Sequence, residues 1–189
     1  MLPRAAARPS IASRADDSPM RRCRGFRVRR QTATLGSYMT FDVSLRPVTG
    51  LDVDEFFAHS EARCPGTPQD YEGFSAHWRR QLVDPSVKVR TITVAGQVAG
   101  YIGQFTRSDL PEVSYELGPK FWGKGFATTA LGQFVSGIDV RPLYARAAKD
   151  NARSIAVLRK CGFSTVGEGR FIAAGGHEVE ELIFALGHS

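Results

Sequence analysis

Residues 112–128 read EVSYELGPKFWGKGFAT and join an alternating strand directly to a helix through a glycine-rich loop. In a strand, every second side chain points to the same face of the sheet. One face of this strand takes Val113, Tyr115 and Leu117, and the other takes Glu112, Ser114 and Glu116. The helix runs to about Ser136, and its spacing predicts a buried stripe of Phe126, Ala130, Leu131, Phe134 and Val135.

The elements on either side predict one domain of mixed α/β class. Further strands are indicated by alternation or short apolar runs at 41–45, 87–94, 98–105, 143–148, 163–166 and 178–186. Further helices are indicated by apolar spacings of three to four residues at 51–57, 69–83 and 151–161. The order β-α-α-β-β-β-α-β-α-β-β predicts an antiparallel meander followed by one β-α-β unit.

Length, composition and charge narrow the class of protein. The chain has 189 residues, 42% hydrophobic and 23% charged, which suits one globular domain with a full core. It has no run near the roughly 18 apolar residues of a membrane span, so an integral membrane protein is excluded. The net charge is +6, but residues 1–38 hold nine arginines and two aspartates, which leaves residues 39–189 at −1. The folded domain is therefore not expected to bind nucleic acid.

Residues 1–38 form a segment distinct from the domain at residues 39–189. They are rich in arginine, serine, proline and alanine and lack apolar periodicity, so we predict a disordered basic extension. Three interpretations compete: an organelle transit peptide, a basic arm that binds nucleic acid or an acidic surface, and a translation start assigned too early. The last is favoured, because Met39 opens a segment that continues at once as a strand.

The cysteines and histidines form no pattern typical of a disulfide framework or a metal site. Cys23, Cys64 and Cys161 are odd in number and far apart, and the four histidines form no paired motif. We therefore expect no metal and a reducing, cytoplasmic compartment. Cys161 lies on the apolar stripe of its helix and is expected to be a core residue rather than a nucleophile.

The loop at residues 118–125 is suited to hold a phosphate. Glycines let backbone N–H groups approach an anion, the following helix offers its positive end, and Lys120 and Lys124 add charge. A P-loop would need Ser or Thr where Gly125 stands, and a dinucleotide-binding fingerprint would need Gly where Thr128 stands. A glycine-rich turn without a ligand is the alternative.

Two segments in this order resemble the GNAT N-acetyltransferases. Residues 114–127 are similar to that family's acyl-CoA loop, and residues 151–163, NARSIAVLRKCGF, are similar to its N-x-x-S…K-x-G-F segment. The combination most resembles the branch that includes the ribosomal-protein serine and alanine N-acetyltransferases. The resemblance covers residues 41–187 and implies a GNAT-like single domain, with a central mixed, mostly antiparallel sheet flanked by helices.

The resemblance also implies acetyl-CoA as the co-substrate. The family's loop pattern falls on Lys120, Gly123 and Gly125, with Lys120 where the family has Gln or Arg. Backbone amides expected to hold the CoA pyrophosphate are those of Trp122, Gly123, Lys124, Gly125, Phe126, Ala127 and Thr128. The strand from Tyr115 to Leu117 is expected to pair with the pantetheine arm, and Asn151 to hydrogen-bond that arm or nearby backbone.

The implied reaction is direct attack of an amine on the thioester. Glu112 or Glu116 would take the amine's proton; the family pattern slightly favours Glu112 without deciding between them. Many members carry a tyrosine that protonates the leaving thiolate where this chain has Leu158, and Ser154, one turn earlier, is the substitute in the branch it resembles. A backbone N–H near Leu117 is the expected oxyanion donor. The alternatives are solvated strand acids and a serine bonded to its own backbone.

We therefore predict an acetyl-CoA-dependent N-acetyltransferase acting on a protein N-terminus or a small-molecule amine. A non-catalytic module that senses acyl-CoA and a nucleic-acid-binding protein using the arginine-rich arm are the alternatives. Five acids would attract a cationic acceptor or merely form the solvated faces of two helices: Asp52, Asp54, Glu55, Asp70 and Glu72. A monomer and a homodimer both fit the sequence.

Overall fold

The computed structural model describes residues 42–63, 70–173 and 176–187. The strands are β1 (Val43–Arg46), β2 (Lys88–Val94), β3 (Gln97–Arg107), β4 (Leu110–Leu117), β5 (Leu143–Ala148), β6 (Ser164–Ile172) and β7 (Glu178–Leu186). The α-helices are α1 (Gly50–Arg63), α2 (Tyr71–Val83), α3 (Phe126–Ser136) and α4 (Ala152–Lys160), and a short 3-10 turn covers Pro119–Phe121. The predicted extension at residues 1–38, the proposed start at Met39, Cys23 and Cys64 lie outside the described residues.

Within the described residues the strands form one sheet in the order β1-β2-β3-β4-β5-β7-β6. Every neighbouring pair is antiparallel except β4 and β5, which run parallel because α3 crosses between them. The predicted mixed, mostly antiparallel sheet is therefore confirmed. None of the described helices has the length and apolar character needed to cross a membrane.

The sheet is covered on both faces. The larger core lies against α3 and α4, and it includes the whole predicted stripe of α3: Phe126, Ala130, Leu131, Phe134 and Val135. A smaller aromatic core joins α1 and α2 to the other face of β3, and it consists of Val53, Phe56, Phe74, Trp78 and Tyr101. Tyr101 and Ile102 are neighbours on β3 but belong to different cores, because successive side chains of a strand point to opposite faces of the sheet.

Two elements, α1 and β6, continue well beyond their predicted ends. The helix expected at 51–57 continues to Arg63, because the buried face beyond Phe57 is made by the polar residues His59 and Ser60 rather than by apolar ones. The strand expected at 163–166 continues to Ile172, because its outer part pairs with β7 although glycines interrupt the apolar alternation. In both cases the pattern of hydrophobicity ended before the element did.

Gly132 offers a test of helix α3. It lies in the helix interior, and an added Cβ would meet no heavy atom within 4 Å. Glycine costs a helix about 0.5–1 kcal/mol relative to alanine, because it loses more backbone freedom on folding. Gly132→Ala should therefore raise the free energy of unfolding by about that amount in urea titrations. A lower value would contradict the open packing at this position.

Candidate active site

The glycine-rich loop leaves the first turn of α3 facing outward. Gly123 and Gly125 have φ of +75° and +84°, a left-handed conformation that favours glycine, and both are exposed. Gly125 is the N-cap of α3, and no side chain caps the helix there. The first backbone amides of an α-helix have no partner within the helix, so this turn is suited to bind an anion.

Side-chain contacts hold this loop in place. The indole Nε1 of Trp122 donates to the Leu117 carbonyl oxygen at 2.7 Å, which ties the loop to the end of β4. The Arg153 guanidinium lies 5.2 Å from the centre of the Trp122 ring, and Lys124 Nζ donates to the Lys120 carbonyl oxygen at 2.9 Å. The prediction for Trp122 concerned only its backbone amide, so this side-chain role was missed.

Strands β4 and β5 are paired near the start of β4, at the end of the strand away from the loop. Between these two described strands the parallel register consists of a single position, Glu112 opposite Tyr144. By contrast β4 is paired with β3 along its whole length, from Leu110 to Leu117. The described pairing of the two parallel strands therefore ends at Glu112, and Tyr115, further along β4, reaches the first turn of α4.

Asn151 and Ser154 form that first turn. The Asn151 side chain accepts a hydrogen bond from the Ser154 backbone N–H at 3.2 Å, so Asn151 is the N-cap of α4. The Tyr115 hydroxyl lies 3.0 Å from Ser154 Oγ and 3.4 Å from the Ser154 carbonyl oxygen. Tyr115 was predicted for its backbone alone, yet its place on the Val113 face already directs it towards this helix. Leu158 is buried in the larger core.

Glu112 is a buried, ion-paired carboxylate, so its interpretation as a solvated strand acid is wrong. It is 4% exposed, and Arg146 Nε donates to its Oε2 at 3.0 Å. Arg107 lies 3.7 Å from the other carboxylate oxygen, and Arg146 also bonds Glu181 at 2.8 Å. Burial raises the pKa of Glu112 above its ordinary value, although Arg146 acts in the opposite direction.

Glu116 is buried at a separate point on the same face, so the solvated interpretation fails here too. Arg63, at the end of α1, donates to Glu116 Oε2 at 2.6 Å, and the Tyr101 hydroxyl donates to the same oxygen at 3.2 Å. Burial raises the pKa of Glu116 despite Arg63, and burial together with Glu116 raises that of Tyr101. The structure thus keeps the two candidate bases in two ion-pair clusters.

His59 completes the contact between α1 and the loop. Its ring packs against Gly118 and lies 5.9 Å from the Phe121 ring, and neither nitrogen has a hydrogen-bond partner among the described residues. Burial and the charge of Lys120 lower the pKa of His59, which favours the neutral ring. This residue therefore packs α1 onto the segment that follows β4.

Three of the five acids near the predicted acceptor site are engaged in structural hydrogen bonds. Asp52 accepts from Arg46, Thr49 and Thr91 at 2.6–2.8 Å. These bonds overcome the effect of burial and hold the pKa of Asp52 well below its usual range. Asp70 caps α2, and Asp54 accepts from the Tyr71 hydroxyl. The charge of Asp52 is therefore compensated by Arg46, whereas Asp54 and Asp70 are exposed carboxylates that accept from neutral donors.

Cys161 packs against the larger core, as the sequence predicts. The Cys161 thiol packs against the core and donates to the Thr128 carbonyl oxygen at 3.5 Å, and burial raises its pKa. In the part of the chain that the structure describes, no three His, Cys, Asp or Glu side chains are grouped closely enough to hold a metal ion.

The chain matches a known family in sequence and several known acetyltransferases in fold. The family model for the acetyltransferase (GNAT) domain matches residues 42–164. The fold is similar to that of the microcin C7 self-immunity acetyltransferase MccE, solved with acetyl-CoA and AMP, with a TM-score of 0.64, 17% identity and coverage of 77% of this chain and 92% of that one. It is also similar to RimJ from Mycobacterium smegmatis, solved with CoA-disulfide, with a TM-score of 0.61, 21% identity and coverage of 76% and 81%. No curated protein matches the chain in sequence.

Proposed function

Since the chain belongs to the GNAT acetyltransferases, it is an acetyl-CoA-dependent N-acetyltransferase, and we propose that Glu112 activates the acceptor amine for direct attack on the thioester. The observation that carries this proposal is the single register position between β4 and β5, because it puts a buried carboxylate where the two strands part. The acceptor amine would approach the thioester from the side of Glu112 and attack it directly, without a covalent enzyme intermediate.

The donor site proposed is the glycine-rich loop together with the opening between the strands. Backbone amides from Trp122 to Thr128 bind the pyrophosphate, and the two left-handed glycines, Gly123 and Gly125, keep the approach free of side chains. The end of β4 pairs with the pantetheine arm, and Asn151 holds the turn of α4 beside it. Exposure of residues 123–125 supports this assignment.

Glu112 is favoured over Glu116 as the base on positional grounds. The Glu112 carboxylate lies at the last paired position of β4 and β5, whereas Glu116 is held by Arg63 and Tyr101 near the end of α1. A base works best when its pKa lies near the operating pH. Burial raises the pKa of both glutamates in that direction, so position decides between them. A backbone N–H of β4 near Leu117 is the proposed oxyanion donor.

The acceptor proposed is an amine of low net charge, such as a protein N-terminus or a small molecule with one amino group. Each buried carboxylate on this face has a cationic partner: Glu112 and Glu181 share Arg146, and Glu116 binds Arg63. The charges of these three buried acids are compensated, so they would not attract the additional positive charges of a polycation. We propose that this reaction takes place in the cytoplasm.

Binding of the donor is tested by a thermal-shift titration of the full chain with acetyl-CoA, with Mg-ATP as the control. At 100-fold above its dissociation constant a ligand adds about 2.7 kcal/mol, which should raise Tm by roughly 5–10 °C for a chain of this size. Gly125→Val should reduce this shift, since it removes the left-handed glycine and places a side chain at the helix N-terminus. No shift with acetyl-CoA, or a shift with Mg-ATP instead, would contradict the donor site.

Turnover is tested by thiol release from acetyl-CoA in the presence of a panel of amines. The panel contains peptides beginning with serine and alanine, single-amine small molecules, and spermidine as a polycation. We expect release with one of the first two groups and little with spermidine. Acetyl-CoA binding without release for any amine would instead favour the sensor.

A further inference from the structure

The contact between Tyr115 and Ser154 spans the strand–helix junction at the proposed donor site. Tyr115 is on β4 and Ser154 is on the first turn of α4, so their hydroxyls, 3.0 Å apart, join two elements that are distant in sequence. Both residues are half-buried. The N-cap bond from Ser154 N–H to Asn151 fixes the helix turn that carries the serine, and the Tyr115 hydroxyl is the contact of the serine Oγ.

A serine hydroxyl alone is a weak proton donor to a thiolate. A thiol has an ordinary pKa of about 8.5 and a phenol of about 10, so a phenol can supply a proton to a departing thiolate at little cost. An aliphatic hydroxyl is a far weaker acid, but it can pass a proton on if it receives another at the same time. The hydrogen-bonded pair of Tyr115 and Ser154 has this arrangement.

We propose that Tyr115 is the proton source for the departing CoA thiolate and that it acts through Ser154, an inference that rests on the proposed function. The acceptor nitrogen forms a bond to the thioester carbonyl carbon, the carbon–sulfur bond breaks, and its electron pair stays on sulfur. Ser154 Oγ gives its proton to the sulfur and takes the proton of the Tyr115 hydroxyl. The proton lost by the amine returns through solvent to the Tyr115 oxygen, so protons and electrons balance.

A test that needs no acceptor is the ionisation of the CoA thiol bound to the full chain. Thiolate absorbs in the ultraviolet, so a pH titration of the CoA complex, with the desulfo-CoA complex as blank, gives the thiol pKa. A hydrogen-bond donor to the thiolate lowers this pKa below the value for free CoA. Ser154→Ala should raise it by about 1 pH unit, and Tyr115→Phe by roughly half as much, because the phenol acts one bond further away.

The control and the opposing outcomes separate this inference from the proposed function. Tyr71→Phe removes a phenol hydroxyl from α2, on the opposite face of the sheet, and should leave the thiol pKa as in the unchanged chain. If Tyr115→Phe binds CoA with an unchanged thiol pKa, Tyr115 is not the proton source. If that variant does not fold, an unchanged pKa in Ser154→Ala overturns the inference equally. Failure of the unchanged chain to bind CoA would overturn the proposed function itself.

Discussion

Replacing Glu112 by glutamine is expected to lower kcat for acetyl transfer by about 10²–10⁴-fold, the usual contribution of a positioned general base. Glutamine keeps the size of the side chain and one oxygen that can accept from Arg146, while its NH2 group would face Arg107. It cannot take a proton from the amine. The KM for acetyl-CoA should change little, because Glu112 lies on the face of β4 opposite α3 and α4. Steady-state kinetics with the best acceptor of the panel measure both quantities.

The pH profile provides a second readout of the same variant. Only the ionised carboxylate can act as a base, so kcat/KM should rise with pH as Glu112 loses its proton. Because burial raises the pKa of Glu112, this rise should lie above the ordinary range of a glutamate. In Glu112→Gln the rise should disappear, while any ionisation of the acceptor amine remains. A profile of unchanged shape and lower height would indicate a structural role instead.

Glu181 is the matched control, since it is the other carboxylate bonded to Arg146. Glu181→Gln removes one negative charge from the same cluster but leaves the proposed base, and its kcat should stay within about tenfold of the unchanged enzyme. Full activity of Glu112→Gln together with inactivity of Glu116→Gln would transfer the assignment to Glu116. The two glutamates are in separate ion-pair clusters, so their variants report independently.

Local pattern predicts most of the fold but not the environment of the two glutamates. Alternation correctly places Glu112 and Glu116 on one face of β4, because the period of a strand is a local property. It does not reveal that this face is buried, since the partners come from distant parts of the chain: Arg63 from α1, Tyr101 from β3 and Arg146 from β5. From the sequence alone, an acid in a strand with no visible partner could therefore be interpreted as exposed to solvent.

The side-chain roles of Trp122 and Tyr115 were missed for a different reason. The glycines and the helix start indicate where backbone amides lie, so the sequence predicts only backbone roles for Trp122 and Tyr115. In the structure the Trp122 indole anchors the loop to β4, and the Tyr115 phenol reaches α4. For Tyr115 the direction was predictable from the face it shares with Val113 and Leu117. For Trp122 it was not, because a loop has no periodicity.

Gly100→Ala is expected to destabilise the protein by about 3–5 kcal/mol, from steric overlap and backbone strain together. Gly100 faces Leu117 across β3 and β4, and an added Cβ would lie 1.9 Å from the Glu116 carbonyl oxygen. Its φ of +153° is also one that residues with side chains rarely adopt. The contact is with backbone, so it cannot be relieved by rotating a side chain. Urea and thermal unfolding should show the loss, with Tm falling on the order of 10 °C.

The close approach at Gly100 follows from a bulge in β3 and bears on the donor site. Thr93 pairs with Val98 and Ile92 with Gly100, so Ala99 is the extra residue, and its carbonyl oxygen accepts from Gly118 N–H at 2.9 Å. Forcing β3 away from Glu116 would therefore displace the end of β4 and the start of the loop, and the remaining folded protein should bind acetyl-CoA more weakly.

Gly96→Ala is the control that measures the cost of a positive φ without the steric overlap found at Gly100. Gly96 has φ of +77°, but an added Cβ there meets nothing within 4 Å, so the substitution should cost only about 1–2 kcal/mol and leave acetyl-CoA binding unchanged. Equal losses of stability for the two variants would show that the close approach of β3 to Glu116 adds no cost when a Cβ is introduced at Gly100. A larger loss for Gly100→Ala, with weaker acetyl-CoA binding, would show that the bulge in β3 shapes the strand end from which the loop begins.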